Sequence, residues 1–153
     1  MIDLDPTDKA ILRLLQEDST ITIKEMAAQL HLSTTPIFDR MKKLEKSGVI
    51  KKYVALVDNT LVGKSLTIFI NISIKEHGKD AIDEFIKEII KFDEVMECHH
   101  VSGDSDFLIK LLLQDITSYN QFILDKLAII PNIGKVESRF SLSERKNTTV
   151  IKI

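Results

Sequence analysis

Several features that indicate particular protein classes are scarce in this chain of 153 residues. Its one cysteine, Cys98, excludes an intramolecular disulfide and is typical of a reducing compartment. No apolar run approaches the ~18 residues of a membrane span. The acidic start MIDLDPTDKA also has no apolar signal-peptide core. These absences predict a cytoplasmic protein that does not contact a membrane.

Chemical motifs and aromatic residues are scarce as well. Nucleophile arrangements, phosphate-binding loops and dinucleotide fingerprints are absent, so an enzyme is not expected. With no tryptophan and nine phenylalanines and tyrosines, a stacking platform for single-stranded nucleic acid is not expected either. The remaining composition, 44% hydrophobic and 29% charged, is that of an ordinary globular protein with one domain or two small ones.

Positive charge is concentrated in one stretch. Residues 33–53 contain six lysines and arginines against two acids, although the whole chain has a net charge of −2, so the other 132 residues carry −6. A basic segment on an otherwise acidic chain indicates one surface that binds a polyanion.

The first 50 residues contain three amphipathic helical patterns. The first is expected to follow a cap at Asp5, the second a capping box at Thr22, and the third a cap at Ser33. The third should end at Gly48, where a left-handed residue is usual. Two helices joined by a short turn, the second carrying cations, are typical of a helix-turn-helix. The expected apolar stripes are Ala10, Ile11, Leu14 and Leu15, then Ile23, Met26, Ala27 and Leu30, then Ile37, Met41 and Leu44.

The basic face of the third helix suits the major groove of DNA. Its N-terminal residues would face the bases and its lysines the phosphates, with Lys51 and Lys52 as a wing-like basic edge. Asp39 would repel a phosphate unless it accepts from a cytosine amino group. A solvated face in a helical bundle is the alternative interpretation. The candidate DNA contacts are Ser33, Thr34, Thr35, Pro36, Arg40, Lys42, Lys43, Lys46, Lys51 and Lys52.

The remainder follows a β-α-β-β-α-β order, which is the ferredoxin-like arrangement. The predicted fold class is therefore α+β, with a winged helix-turn-helix over residues 1–60 and a ferredoxin-like domain over 61–153. Both helices of the second domain should cover one face of its sheet, which leaves Phe69 on the other face and favours homodimerisation there. The expected strands span 66–74, 95–102, 107–113 and 136–142, a cap at Thr117 starts the last helix, and a short strand can form within 54–64.

Two further clusters suggest small ligands. In Gly103-Asp104-Ser105-Asp106, the carboxylates can hold an ammonium group and the backbone N–H groups a carboxylate, although the same residues suit a plain hairpin turn. Glu97-Cys98-His99-His100 contains zinc-type ligands, but alternation along a strand puts only Cys98 and His100 on one face. We therefore expect no metal there, and a core cysteine beside interfacial histidines instead.

Residues 30–53 resemble the recognition-helix signature of the Lrp/AsnC family. The second half, with its glycine-acid turn, resembles that family's effector domain, so the resemblance covers essentially all 153 residues. The matching parts are Leu4-Asp5, Asp8, Ile11-Leu12, Leu32-Ser33, Thr35-Pro36, Arg40-Met41 and the run from Leu44 to Ile50.

The resemblance implies a sequence-specific transcriptional regulator that binds double-stranded DNA, has no cofactor, and dimerises through its C-terminal sheet, often assembling to tetramers or octamers. It further implies an amino-acid effector held between subunits. Ser105 replaces a usual aromatic residue and Val136 a usual hydroxyl, which leaves the effector open. The implied effector residues are Val101, Gly103, Asp104, Ser105, Asp106, Val136 and Ser138.

Two other functions stay open from the sequence. Haem-pathway decarboxylases resemble this chain in their two-domain architecture, and histidines could bind a tetrapyrrole there. The basic helix would then be unexplained. A ligand-binding or dimerisation module whose helix-turn-helix does not bind DNA is the second alternative.

Overall fold

The computed structural model describes residues 2–153, which divide into two units. The first unit runs up to Leu56 and also contains Lys146–Ile153, and the second is Val57–Arg145. Residues 146–153, which were expected in the second domain, lie with the helices of the first unit.

Three helices build the first unit: α1 (Pro6–Glu17), α2 (Ile23–Leu30) and α3 (Thr34–Lys46). The Asp5 side chain caps α1, and Thr22 forms a capping box at the start of α2, both as predicted. The stripe of α1 was partly wrong, because Leu12 is buried and Ala10 is not, whereas Leu14 is partly buried against this core. The buried apolar residues of this unit are Ile11, Leu12, Leu15, Met26, Ala27, Ile37 and Leu44.

Left-handed backbone conformations bound α3 on both sides. His31, with φ 54°, ends α2 and turns the chain toward α3, while Gly48, with φ 75°, follows α3 as predicted. The Ile50 amide then donates to the Leu44 carbonyl, which brings the chain back along the helix end. Within the described chain, residues 54–64 form no strand, so that part of the expectation was wrong.

The second unit contains the predicted ferredoxin-like sheet. Its strands lie in the order β2-β3-β1-β4, and every neighbouring pair is antiparallel. The helix before β4 begins as an α-helix and continues as a π-helix over Phe122–Leu127. The elements are β1 (Leu66–Ile74), α4 (Lys79–Ile89), β2 (Val95–His100), β3 (Phe107–Leu113), α5 (Ile116–Gln121) and β4 (Ile133–Phe140).

Several element boundaries in this unit differ from expectation, including the start of β4, which lies at Ile133 instead of Val136. Asp115 caps α5 by accepting from the Ser118 amide at 2.8 Å, so the predicted cap Thr117 lies inside the helix. An aspartate one residue before the helix offers a stronger acceptor than a threonine within it. Strands β2 and β4 end at His100 and Phe140, and Leu142 is 98% exposed beyond the sheet.

The two faces of the sheet have different surroundings. Side chains of β1 that alternate inward, from Ile68 to Ile74, are buried together with Phe85 of α4 and Phe122 of the π-helix. On the opposite face Phe69 is 37% exposed and lies in register with Lys110 and Arg139. In the part of the chain that the structure describes, no helix is long and apolar enough to cross a membrane.

Candidate nucleic-acid interface and effector turn

The N-terminus of α3 has no side-chain cap. Ser33 occupies the capping position, but its hydroxyl makes no capping hydrogen bond, unlike the caps of α1 and α2. Ser33, Thr34 and Thr35 are all exposed. The N–H groups of Thr34 and Thr35 and three neighbouring hydroxyls therefore lie at an exposed helix start, which is a suitable arrangement for binding an anion, although Pro36 has no N–H to add.

The predicted lysines are exposed along and beyond α3. Lys42 donates to Glu45 at 2.8 Å and has its Nζ 5.8 Å from the ring centre of Phe38. Lys43 has its Nζ 4.0 Å from an Asp8 carboxylate oxygen, but 65% of its side chain is exposed. Lys46, Lys51 and Lys52 are exposed and make no ion pair within residues 2–153.

Arg40, predicted to contact DNA, makes two ion pairs inside its own unit. Its Nη1 donates to Asp8 Oδ1 at 2.6 Å and also to the carboxylate of Asp5. Asp8 is 1% exposed, so Arg40 supplies the charge that this buried carboxylate requires. The hydrogen bonds with Asp5 and then Asp8 raise the pKa of Arg40. In this arrangement the guanidinium joins α3 to the start of α1 instead of projecting from the basic face.

Phe38 is a surface residue that the sequence analysis missed. It lies on α3, is 46% exposed and sits beside Lys42. A helical wheel could have identified it, because Phe38 falls outside the Ile37/Met41/Leu44 stripe and so projects from the polar side. An exposed aromatic side chain there can contact a thymine methyl group.

Glu45 connects α3 to the basic stretch that follows it. Its carboxylate accepts from Lys42 through one oxygen and from the Tyr53 hydroxyl, at 3.1 Å, through the other. The Lys42 hydrogen bond and then the Tyr53 hydrogen bond lower the pKa of Glu45. Burial and then the bond to Glu45 raise the pKa of Tyr53 above 10.0. This network holds the chain after Lys52 against the helix.

The predicted effector turn is attached to the end of β1. Asp106 accepts from the Ile74 amide at 2.8 Å through Oδ2 and lies 3.1 Å from His77 Nε2 through Oδ1. Its own amide donates to the Ile72 carbonyl. Asp104, in contrast, is exposed and its side chain makes no hydrogen bond within the described residues. Asp106 therefore shapes the turn, and Asp104 is the carboxylate available to a ligand.

Val136 and Ser138 have different surroundings from the turn. Val136 pairs with Ile72 in the sheet, so it lies at the same end as Asp106. It lines a cavity of about 450 Å³, which none of residues 101–106 lines. Ser138 lies further along β4 and accepts from the Tyr119 hydroxyl at 2.9 Å. The remaining members of the predicted set, Val101, Gly103 and Ser105, belong to the turn segment itself.

The cysteine and histidines of β2 do not assemble a metal site. Cys98 pairs with Ile109 and His100 with Phe107, and the His100 and Phe107 rings stack at 5.0 Å. His99 faces the other way and contacts Glu97, and burial raises the pKa of the Cys98 thiol. Among residues 2–153, no three His, Cys, Asp or Glu side chains come together as metal ligands would.

Two protein families match the chain. A family described as the Lrp/AsnC ligand binding domain matches residues 67–151, and one described as winged helix-turn-helix DNA-binding matches residues 4–51. The transcriptional regulator AzlB of Bacillus subtilis is 36% identical over 99% of this chain and 97% of its own. The leucine-responsive regulatory protein of Escherichia coli is 34% identical over 98% of this chain and 93% of its own.

Solved structures are similar over the same extent. A transcriptional regulator of Neisseria meningitidis in complex with L-Met has a TM-score of 0.93 and 34% identity, covering 98% of this chain and 97% of that one. An AsnC family transcriptional regulator of Agrobacterium tumefaciens has a TM-score of 0.93 and 37% identity, covering 97% of both chains.

Replacing Arg40 should destabilise the first unit. Arg40→Gln leaves the buried Asp8 carboxylate with only the more distant Lys43 ammonium, at 4.0 Å, which costs about 1–3 kcal/mol of unfolding free energy. Lys46→Gln, on the exposed side of the same helix, should change that free energy by less than about 0.5 kcal/mol. Chemical denaturation of both variants measures the difference. Equal stabilities would show that the Arg40 pairing does not hold the unit together.

Removing the ammonium group of Lys42 should raise the pKa of Glu45. Because the folded-state pKa of Glu45 is lowered from 4.5, the stabilisation it provides is present above that value and is lost as the pH falls through the folded-state pKa. In Lys42→Met, a carboxyl titration followed by NMR should move upward for Glu45. Glu25, whose pKa is lowered by Thr22, should titrate as before. An unchanged Glu45 titration would contradict the pairing.

Proposed function

The chain belongs to the Lrp/AsnC family of transcriptional regulators, and we propose that it controls transcription by inserting α3 into the major groove of a specific DNA sequence, as a homo-oligomer, in response to an amino acid. The proposal assigns double-stranded DNA to the first unit and the effector to the second. Both partners are expected in the cytoplasm.

The observation that carries the proposal is the uncapped, basic surface of α3. A major groove about 12 Å wide admits a helix. The free N–H groups and the positive end of the helix dipole favour a phosphate near Ser33. Lys42, Lys43 and Lys46 extend the positive charge along the helix, and Lys51 and Lys52 extend it beyond. These contacts would provide affinity and orientation.

Base contacts would come from the other exposed side chains of α3. Thr34 and Thr35 can hydrogen-bond to base edges or phosphates, and Phe38 offers an apolar surface for a thymine methyl. Pro36 is half-buried at the first turn and shapes the approach of the helix. We assign Arg40 a positioning role, since its guanidinium is committed to Asp5 and Asp8.

Dimerisation is proposed through the open face of the sheet. Phe69 is partly exposed there, and the cations beside it are matched by acids: Lys110 pairs with Glu97 at 3.0 Å, and Arg139 with Glu137 at 2.7 Å. A second copy could cover Phe69 while leaving these ion pairs intact. Two-fold symmetry would present two α3 helices, which predicts a pseudo-palindromic operator. Larger assemblies, tetramers or octamers, would build on this dimer.

An amino acid is the proposed effector. The similar Neisseria meningitidis regulator was solved with L-Met, and a ligand-binding family matches this chain over residues 67–151. Here the Asp104 carboxylate would hold the ammonium group, and backbone N–H groups near Gly103 the carboxylate. Regulation requires the ligand to bind one assembly more tightly than another, because equal affinities shift nothing. The described residues offer no observation that favours the decarboxylase alternative.

Binding to DNA from upstream of the protein's own gene should weaken with salt in proportion to the lysine contacts. Lys42→Gln, Lys43→Gln and Lys46→Gln should each reduce the slope of log affinity against log salt by about 0.9. Mobility shifts at several salt concentrations, against random competitor, measure this slope. Lys87→Gln, which removes an exposed lysine of α4, is the matched control and should keep the wild-type slope.

Two results would contradict the DNA assignment. Three lysine variants with wild-type affinity and slope would show that α3 does not face the phosphates. A wild-type protein that binds no DNA at low salt would favour the ligand-module alternative.

Amino acids should raise the thermal midpoint of the protein and change its DNA binding. Asp104→Asn removes a charged hydrogen-bond acceptor and should weaken effector binding by about tenfold or more. Asp93→Asn changes the net charge equally at an exposed site and should bind as the wild type does. Titrations of each amino acid, followed by thermal shift, provide the measurement. If Asp104→Asn retains full affinity, the ammonium site lies elsewhere.

A further inference from the structure

Residues 146–153, which we call the clasp segment, lie with the DNA-binding unit although they follow β4. The last strand of the second unit ends at Phe140, and only residues 141–145 separate it from the clasp segment. The chain therefore passes between the units twice, once after Leu56 and once after Arg145. A helix-turn-helix with a single linker has no such second connection.

One side chain of α1 holds the clasp segment by its backbone. The Ile151 amide donates to Gln16 Oε1 at 2.6 Å, and Gln16 Nε2 donates to the Ile151 carbonyl at 3.2 Å. The Gln16 amide thus bonds both backbone groups of one residue, as a neighbouring strand would. Because the Ile151 side chain is 70% exposed, its apolar burial is not what holds the segment there.

The clasp segment also lines a cavity of about 670 Å³ together with α1 and the stretch after α3. Thr149, Ile151 and Ile153 form one part of its wall, and Leu12 and Leu15 of α1 form another. The third part is residues 49–56, the basic stretch that contains Lys51 and Lys52. Apolar side chains from both ends of the chain therefore line the same open pocket within this unit.

The basic stretch is fixed from two directions by these contacts. On the α3 side, Tyr53 donates to Glu45 at 3.1 Å, and the Ile50 amide donates to the Leu44 carbonyl at 3.1 Å. On the other side it borders the cavity that the clasp segment completes. Beyond Ile50 no backbone hydrogen bond holds this stretch within the described chain, so its position depends on its neighbours.

We propose that the clasp segment is a functional part of the DNA-binding unit. Held by its hydrogen bonds to Gln16, it keeps residues 49–56 in place for DNA, and its release weakens DNA binding. The expected effect on DNA binding rests on the proposed function. Because the clasp segment follows β4, any rearrangement of the second unit that pulls on residues 141–145 would loosen it. The second covalent connection thereby offers a route from the ligand-binding unit to the basic stretch.

The test compares Gln16→Leu with wild type in the full chain. In wild type the Ile151 amide should exchange slowly with solvent. In Gln16→Leu it should exchange about tenfold faster, and DNA should bind about three- to tenfold more weakly, the factors expected from one or two lost hydrogen bonds. Amide exchange by NMR and mobility shifts at fixed salt measure the two effects. Gln121→Leu, an exposed position of α5 in the second unit, is the control and should change neither.

A chain ending at Arg145 provides a second variant, which lacks Ile151 and should reproduce the weaker DNA binding of Gln16→Leu. An Ile151 amide that exchanges freely in wild type would overturn the proposal, as would Gln16→Leu or the shortened chain binding DNA with wild-type affinity. Amide exchange is measured on the protein without DNA, so a failure of the proposed function can be told apart from a failure of this proposal. If the proposed function is wrong, the wild type binds no DNA, but exchange of the Ile151 amide still shows whether the clasp segment is docked.

Discussion

A single buried carboxylate constrains the DNA-binding unit. Asp8 is 1% exposed, and a charge withdrawn from water costs several kcal/mol unless a partner compensates it. Arg40 compensates this cost at the contact between α1 and α3. The same guanidinium bonds Asp5, the cap of α1, so one residue of α3 fixes both the start of α1 and the orientation of the two helices. The surface that α3 offers to DNA follows from this packing.

Helix α3 differs from its neighbours in what it leaves unsatisfied. Helices α1 and α2 complete their N-termini with side chains, whereas Ser33 leaves the first turn of α3 open. Since free N–H groups at a helix end attract anions, the missing cap and the exposed lysines support the same partner. Glu45 holds Lys42 and Tyr53, so the basic surface continues past the helix without loss of order. The proposed phosphate contacts therefore depend on the same few residues.

In the second unit, two carboxylates of one turn differ in what they bond. Asp106 secures the turn to β1 through the Ile74 amide and His77. Asp104 stays exposed beside it. Ser138, a hydroxyl that the sequence assigned to the effector, is occupied by Tyr119. A turn that is rigid before its ligand arrives loses less entropy on binding.

Structural features that depend on residues close together in the chain were predictable from the sequence. The caps at Asp5 and Thr22, the left-handed Gly48, the period-two strand β1 and the antiparallel sheet all follow from residues a few positions apart, or from the order of elements. The cap of α5 was predicted at Thr117 instead of Asp115, because both residues can cap and only the fold selects between them.

By itself, the sequence determined the type of most elements, the basic character of α3 and the family resemblance. Only the tertiary structure decided what each charged or polar group does. Arg40 meets Asp8 across 32 positions, and Gln16 meets Ile151 across 135. Local periodicity carries no information about contacts of that range, because they depend on how complete helices and strands pack. For that reason an arginine expected on DNA lies in an ion pair, and residues expected in the second domain complete the first.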